Sequence, residues 1–343
     1  MTAALDSVLA RYPASARPTR EPVPLGNAGG LSGARLWRFE SRRGPLAARL
    51  WPGEDCDRAK IERIHGWLSR AAHLGFVPRP IAARDGLTVQ QAADRFWEVA
   101  PWLPGTADLS TPPHPQRVAA AFSTLAAFHV AMHEVTPRAA SPGLSSRLTE
   151  IDALLDRDLA AWRAIVNQDA TDREAKSLAS RWLDLAARLS PAILPEIRLA
   201  ACRPVAIQPV IRDARPDHFL FANDRVTGLV DFGAMGIDAV STDLARLLSE
   251  WVGNDGSLRS VAMEGYQSVR ELSEDEAALI APFERSAALL GGARWVRWGF
   301  VDKLTFSDPG SVILGLRRGV ARLDRLAGAS WPENPGGFAP LRG

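Results

Sequence analysis

Apolar positions in the first hundred residues come in short runs broken by glycine and proline, a pattern of strands and turns. Residues 34–40 (ARLWRFE) and 46–51 (LAARLW) predict two strands, and Ser41-Arg42-Arg43-Gly44-Pro45 between them predicts a hairpin turn. From residue 54 to 74 the period lengthens. Ile61, Ile64, Leu68 and Ala71 or Ala72 fall on one helical face, and Gly75 is placed to end that helix. Residues 80–83 and 87–89, about a turn at Asp85-Gly86, predict a second strand pair. Residues 96–103 (FWEVAPWL) predict an apolar strand that runs into Pro104-Gly105, the candidate lobe boundary.

Beyond that point the period is helical, with helices expected near 115–133, 147–167, 172–189, 243–252, 257–272, 275–303 and 311–327. The exception is 205–231, where 219–221 and 226–231 flank an Asn223-Asp224 turn and predict a hairpin inside the helical part. The Pro- and Gly-rich stretch after Trp331 reads as an appendage. Strands followed by helices predict an α+β fold, not a doubly wound sheet. The expected division is a small antiparallel-sheet N-lobe over 1–104, a larger helical C-lobe over 105–330 and a tail over 331–343.

Composition narrows the class. At 46% hydrophobic and 23% charged, the 343 residues can build a sizeable core and are not a disordered chain. A formal charge of +2 gives no bulk argument for a nucleic-acid partner. The basic residues are almost all arginine, with Lys60, Lys176 and Lys303 the exceptions. Cys56 and Cys202 have no metal-ligand spacing, and His65, His73, His114 and His133 form no metal pattern. With no signal-peptide core and no run of roughly 18 apolar residues, the expectation is a soluble cytoplasmic protein without a membrane partner.

The chemistry gathers around the predicted hairpin. Asp213 lies in the loop IRDARPDH, and Asp231-Phe232-Gly233 ends the apolar strand 18 residues on. Two carboxylates are thereby expected at the mouth of one small sheet. One can take a proton from a hydroxyl, and the other can hold a metal that bridges phosphates. An Asp in such a loop equally often caps a turn. Upstream, Gly29, Gly30 and Gly33 precede the first hairpin, where backbone N–H groups can approach phosphates; no Gly-Lys-Ser/Thr of a Walker loop follows.

Arg212-Asp213, His218, Asp231-Phe232-Gly233 and Asp243-Leu244-Ala245 together resemble the protein-kinase-like phosphotransferases, in particular the aminoglycoside phosphotransferase and choline kinase branch. The resemblance runs over about 24–300 and is most specific over about 208–250. It implies a protein-kinase-like two-lobed fold, ATP and Mg2+ as cofactors, and a small-molecule hydroxyl acceptor bound near the catalytic loop and the helices after 243. Asp213 becomes the base and Asp231 the metal ligand. His218 stands at the family's asparagine, so it or Asp217 becomes the second metal group, and Ile211 stands at the family's histidine. Arg49 takes the place of the phosphate-binding lysine, with Glu62 as a possible partner beside the competitors Glu54 and Asp57. Val99 and Trp102 would cover the adenine at the hinge. Asp243 would support the loop, and His129 would pack a helix.

The resulting expectation is an ATP-dependent phosphotransferase acting on a hydroxyl of an aminoglycoside, amino alcohol, sugar or similar compound. The alternatives are a catalytically impaired nucleotide- or partner-binding module and, with less support, a nucleotidyl transferase. Protein acceptors are disfavoured because no Ala-Pro-Glu follows Asp-Phe-Gly.

Overall fold

The strand-forming runs of the first hundred residues pair as their alternating apolar positions require. In the computed structural model, residues 2–26, 33–53, 56–133, 138–170, 172–306, 308 and 310–328 are described. They fall into two units, one within Met1–Arg138 and Val205–Ala277, the other within Ala139–Pro204 and Ala278–Gly343.

The first unit opens with helix α1 (Thr2–Leu9) and a five-stranded antiparallel sheet. Its strands are β1 (Val23–Gly26), β2 (Arg35–Ser41), β3 (Gly44–Leu50), β4 (Gln90–Ala92) and β5 (Arg95–Pro101), in the order β1-β2-β3-β5-β4. Trp37, Phe39, Leu46, Ala48, Leu50, Trp97 and Val99 form one face, buried with Leu5, Val8 and Leu9 of α1. Eight residues are too few for a helix stable by itself, so α1, unpredicted from sequence, owes its order to this burial. By alternation the other face presents Arg49 and its cross-strand partner Glu98.

The expected strand pair 80–83/87–89 is a correction. The Asp85-Gly86 turn forms and Ala83 N–H donates to Leu87 O at 2.9 Å, but no ladder follows. Pro78 and Pro80 offer no N–H, and Ile81 N–H goes to Val99 O instead. The hairpin forms one step later, between β4 and β5, around Ala93 and Asp94, both at positive φ. Helix α2 (Arg58–Ala71) starts at the N-cap Asp57, whose side chain accepts from Lys60 N–H, and buries Ile61, Ile64, His65 and Leu68.

The rest of the first unit is a helical frame around short strands. Strands β6 (Thr106–Ala107), β8 (Phe219–Ala222) and β9 (Arg225–Leu229) pair in the order β6-β8-β9, and β7 (Gln208–Val210) pairs with β10 (Gly236–Asp238). Around them stand α3 (Pro115–Met132), α7 (Ser241–Leu247), α8 (Gly256–Gln267) and α9 (Glu274–Ala278). An antiparallel sheet followed by helices is the α+β arrangement anticipated.

The second unit is α4 (Pro142–Ala153), α5 (Leu159–Gln168), α6 (Arg173–Ala201), α10 (Ile280–Val296) and α11 (Ser311–Gly328). Its core centres on Trp182, Leu183, Ile193, Ile197, Leu289, Val296, Leu316 and Leu323. A Cβ added to Gly319 would lie 2.9 Å from the Cα of Gly292, so these glycines set how closely α10 and α11 approach. The helix expected over 172–189 continues to Ala201 through Pro191 and Pro195. Ser190 Oγ donates to Ala186 O at 2.6 Å, and Ile193 and Ile197 are fully buried, so packing outweighs the lost helix bonds.

Candidate active site

The loop at 211–213 is held by a buried carboxylate. Backbone N–H groups of Ile211 and Arg212 donate to Asp243 Oδ2 and Oδ1 at 2.7 and 2.6 Å. Asp243, in the first turn of α7, is fully buried. His129 of α3 places Nε2 3.1 Å from Asp243 Oδ2 and Nδ1 2.8 Å from the Tyr266 hydroxyl. A buried carboxylate survives only when so satisfied. Burial drives the His129 pKa below its ordinary value despite Asp243 beside it. The loop support expected of Asp243 is therefore seen directly. Arg212 is held at φ +66°, an uncommon conformation for a residue with a side chain, and the chain turns there to send Asp213 outward.

Asp213 meets two arginines. Arg246 of α7 donates to its Oδ1 from Nε at 3.1 Å and Nη2 at 3.0 Å, and Arg215 Nε stands 3.7 Å from its Oδ2. Arg246 also donates to Glu250 at 3.0 Å.

Asp231 closes the β8–β9 hairpin at φ +60°. Val230 N–H donates to His218 O at 3.0 Å, tying hairpin end to loop. Phe232 is buried against Phe128 of α3, with ring centroids 5.5 Å apart, which leaves Asp231 as the outward group of Asp-Phe-Gly. Arg49 Nη2 sits 3.2 Å from Asp231 Oδ1, and its guanidinium lies over the Trp51 ring at 4.4 Å. A Cβ at Gly233 would come within 2.8 Å of Arg49 Nη2, so a larger residue there would displace the end of the arginine. Burial pushes the Asp231 carboxyl up, but Arg49 and then His218 outweigh it and hold the pKa below the usual range.

His218 is buried, and burial is the main reason its pKa falls; Asp231 opposes the shift and Arg215 adds to it. The neutral ring's Nε2 accepts from Arg215 Nη2 at 2.9 Å and Nε at 3.2 Å. Asp231 Oδ2 is 3.7 Å from the same nitrogen.

Three expected placements are corrected. Glu62 pairs with Arg58 at 3.1 Å, one helical turn away, and not with Arg49. Val99 is fully buried in the core with α1, on the sheet face opposite Arg49, so its side chain does not cover a base bound beside Arg49. Asp217, the alternative to His218 as the second metal group, is drawn to Arg215 at 3.2 Å, and among the described residues no three His, Cys, Asp or Glu side chains come together as a metal group. Trp102 lies beside Arg38, whose guanidinium carbon is 5.2 Å from its ring centroid. Gly33 adopts φ +73°; Gly29, Gly30, Glu54 and the tail after 328 lie outside the described residues.

Two residues were missed. Glu98, opposite Arg49 on β5, accepts from Trp51 Nε1 at 2.8 Å and meets His65 Nε2 at 2.6 Å, while His65 Nδ1 lies 2.8 Å from Thr88 Oγ1. Burial raises the Glu98 pKa, but the His65 hydrogen bond and the nearby positive charges, Arg49 included, bring it below the ordinary value. The only sequence signal was an acid in the apolar run FWEVAPW. Arg246, the partner of Asp213, gave no local signal.

The model of the phosphotransferase enzyme family (APH) matches residues 25–279, most of the chain. The chain belongs to the phosphotransferase enzyme family. Within reach of this family, a homoserine kinase of Gluconobacter oxydans (strain 621H) is 27% identical over 229 residues, 62% of this chain and 62% of that protein. A homoserine kinase of Mesorhizobium japonicum is 28% identical over 265 residues, 75% of this chain and 74% of that one. The chain thus spans less than two thirds of the length of the Gluconobacter relative. In fold it is similar to amicoumacin kinase hAmiN in complex with AMP-PNP, Ca2+ and Ami, with a TM-score of 0.65 at 14% identity over 94% of this chain and 93% of that one. That likeness bears out the protein-kinase-like fold. No described helix is long and apolar enough to cross a membrane.

For a phosphotransferase the donor set here divides in two. Asp231 offers hard carboxylate oxygens, the donor type that could hold a divalent cation. His218 supplies a nitrogen, and Arg49 a fixed positive charge for phosphate oxygens.

Proposed function

We propose that this protein is a kinase that moves the γ-phosphoryl group of ATP to the hydroxyl of a small, amine-bearing alcohol, with homoserine the first acceptor to test. The observation that carries the reading is the continuous set of charged contacts along one loop and hairpin: Asp213, Arg215, His218, Asp231 and Arg49, each 2.9–3.7 Å from the next. Such a row matches what phosphoryl transfer asks of a protein, which is mostly positioning and charge stabilisation.

Asp213 Oδ2, the oxygen that Arg246 leaves open, orients the acceptor hydroxyl and takes its proton. Arg49 releases Asp231 to meet phosphate oxygens, and the Trp51 ring beneath its guanidinium keeps the side chain in place. Asp231 and His218 would hold the divalent cation, which would supply positive charge against the phosphates. The homoserine kinase relatives support an amino-acid-like alcohol, and the AMP-PNP bound by the structural relative supports an adenine nucleotide.

The test is ADP release with homoserine, simple amino alcohols and an aminoglycoside as acceptors. Turnover with one of them, falling at least about 100-fold in Asp213→Asn with an unchanged circular dichroism spectrum, is expected. Equal turnover in the variant would remove Asp213 from its role. Metal-dependent nucleotide binding without turnover on any acceptor would instead favour the binding-module reading, which the double arginine contact on Asp213 supports.

A further inference from the structure

His218 is more than an asparagine substitute. It is 4% exposed, its Nδ1 is buried and makes no hydrogen bond among the described residues, and three groups converge on Nε2. Arg215 donates to Nε2 from Nη2 at 2.9 Å and from Nε at 3.2 Å, and Asp231 Oδ2 stands at 3.7 Å. Two donated N–H bonds require a lone pair on Nε2, so the proton of the neutral ring sits on the unpartnered Nδ1. The ring thus leaves a buried N–H unsatisfied and presents its basic nitrogen beside the Asp231 carboxylate. The 3.7 Å gap is too long for a hydrogen bond. Two ligands bound at about 2.1 Å to one ion stand roughly 3.0–3.4 Å apart, so the pair has only a few tenths of an ångström to close to share one. The Arg215 guanidinium now occupies the lone-pair side of Nε2.

Nitrogen beside carboxylate is a poor donor set for Mg2+, which takes oxygen ligands and dehydrates reluctantly. It suits first-row transition cations, for which imidazole is an ordinary ligand. We propose that Asp231 and His218 select a divalent transition cation of the Mn2+ to Zn2+ series over Mg2+, and that Arg215 is the built-in counter-cation which occupies His218 Nε2 until the metal arrives. Displaced, Arg215 keeps its ion pair with Asp217 at 3.2 Å, so its charge is not stranded. The inference rests on the kinase reading, because the cation is the one that accompanies the nucleotide.

The experiment uses the full chain, labelled with 15N, with AMP-PNP and Mn2+ as the probe. Mn2+ is chosen because it stands lowest in the affinity order of that series, so a preference over Mg2+ is least trivial there. Pulsed electron paramagnetic resonance reads directly bound protein nitrogen, and titration gives the Mn2+ to Mg2+ affinity ratio. Expected is a strong 15N coupling that His218→Asn abolishes, together with a fall of at least tenfold in that ratio. Arg215→Met, which removes the competing guanidinium and leaves His218 in place, raises Mn2+ affinity severalfold and serves if the His218 variant fails to fold. Metal-dependent nucleotide binding without nitrogen coupling, or an unchanged ratio in His218→Asn, would overturn the proposal and leave the kinase reading standing. Unchanged or weaker Mn2+ binding in Arg215→Met would remove Arg215 as the counter-cation. Absence of nucleotide binding with either metal would overturn both readings.

Discussion

The two units hide very different side chains. Among the described residues, the buried polar side chains of the first unit include His65, Asp108, His129, His218, Asp238, Asp243 and Glu276, whereas those of the second are Ser141, Ser190 and Ser286. Most charge in the second unit stays outside, in pairs such as Arg163–Asp184, Arg198–Asp152 and Arg317–Glu174, with Arg285–Glu196 the more covered pair. Burying ionisable groups costs stability unless every partner is in place. The first unit bears that cost where it fixes the backbone of a catalytic loop and the strand behind Arg49. The second, a packed helical assembly, has no such task and buries oil.

The comparison makes unequal demands on mutations. Asp243→Ala leaves two loop N–H groups and His129 without their acceptor, and a loss of about 3–5 kcal/mol is expected. Urea denaturation followed by circular dichroism measures it; a loss under about 1 kcal/mol would mean that the buried network is not what holds the loop. In the second unit the comparable injury is apolar. Leu289, fully buried in the core with Trp182 and Leu323, should cost about 3 kcal/mol on truncation to Ala by the same measurement. Nucleotide binding should survive Leu289→Ala at temperatures where the variant remains folded.

What the sequence made legible follows the same division. The β2–β3 hairpin and the Asp-Phe-Gly strand end are local patterns, readable from spacing, while the role of Asp243 follows from the family resemblance. The partners of Asp213 and Arg49 are not local. Arg246 comes from a helix 33 residues downstream, and Asp231 meets Arg49 from 182 residues along the chain. Glu62 on the expected helix is a plausible partner for Arg49, though a solvated helix face is the slightly favoured reading, and Arg58 one turn earlier takes it. Val99 failed for a subtler reason. A strand places neighbours on opposite faces, so the residue beside Glu98 is the one that cannot share its site. In the second unit, Pro191 and Pro195 spell a helix end locally, and only the burial of Ile193 and Ile197 says otherwise.

Acidification separates the units further. His129 and His218 both have pKa values lowered from 6.5 in the folded chain, chiefly by burial, so the unfolded chain binds their protons first. Stability is therefore full above about pH 6.5 and declines as pH falls towards the lowered values, by at most about 1.4 kcal/mol per pH unit for each histidine. Asp231, Glu98 and Glu276, whose values are lowered from 3.8, 4.5 and 4.5, add a second decline only below those points. Thermal melts from pH 8 to 5 should show the first decline, and His129→Gln should flatten it. A decline of the same slope in that variant would place the titrating group elsewhere.

The weakest expectation tests whether surface charge in the second unit does anything comparable. Arg181 of α6 donates to Asp324 of α11 at 2.8 Å, with side chains 61% and 38% exposed. Water screens both charges, and ordering two flexible side chains offsets most of the attraction. A double-mutant cycle with Arg181→Ala and Asp324→Ala should return a coupling of about 0.2–1 kcal/mol that shrinks further in 0.5 M salt. A coupling of the size expected for Asp243 would mean that the second unit too relies on charge, and the contrast with the first would have to be drawn on burial alone.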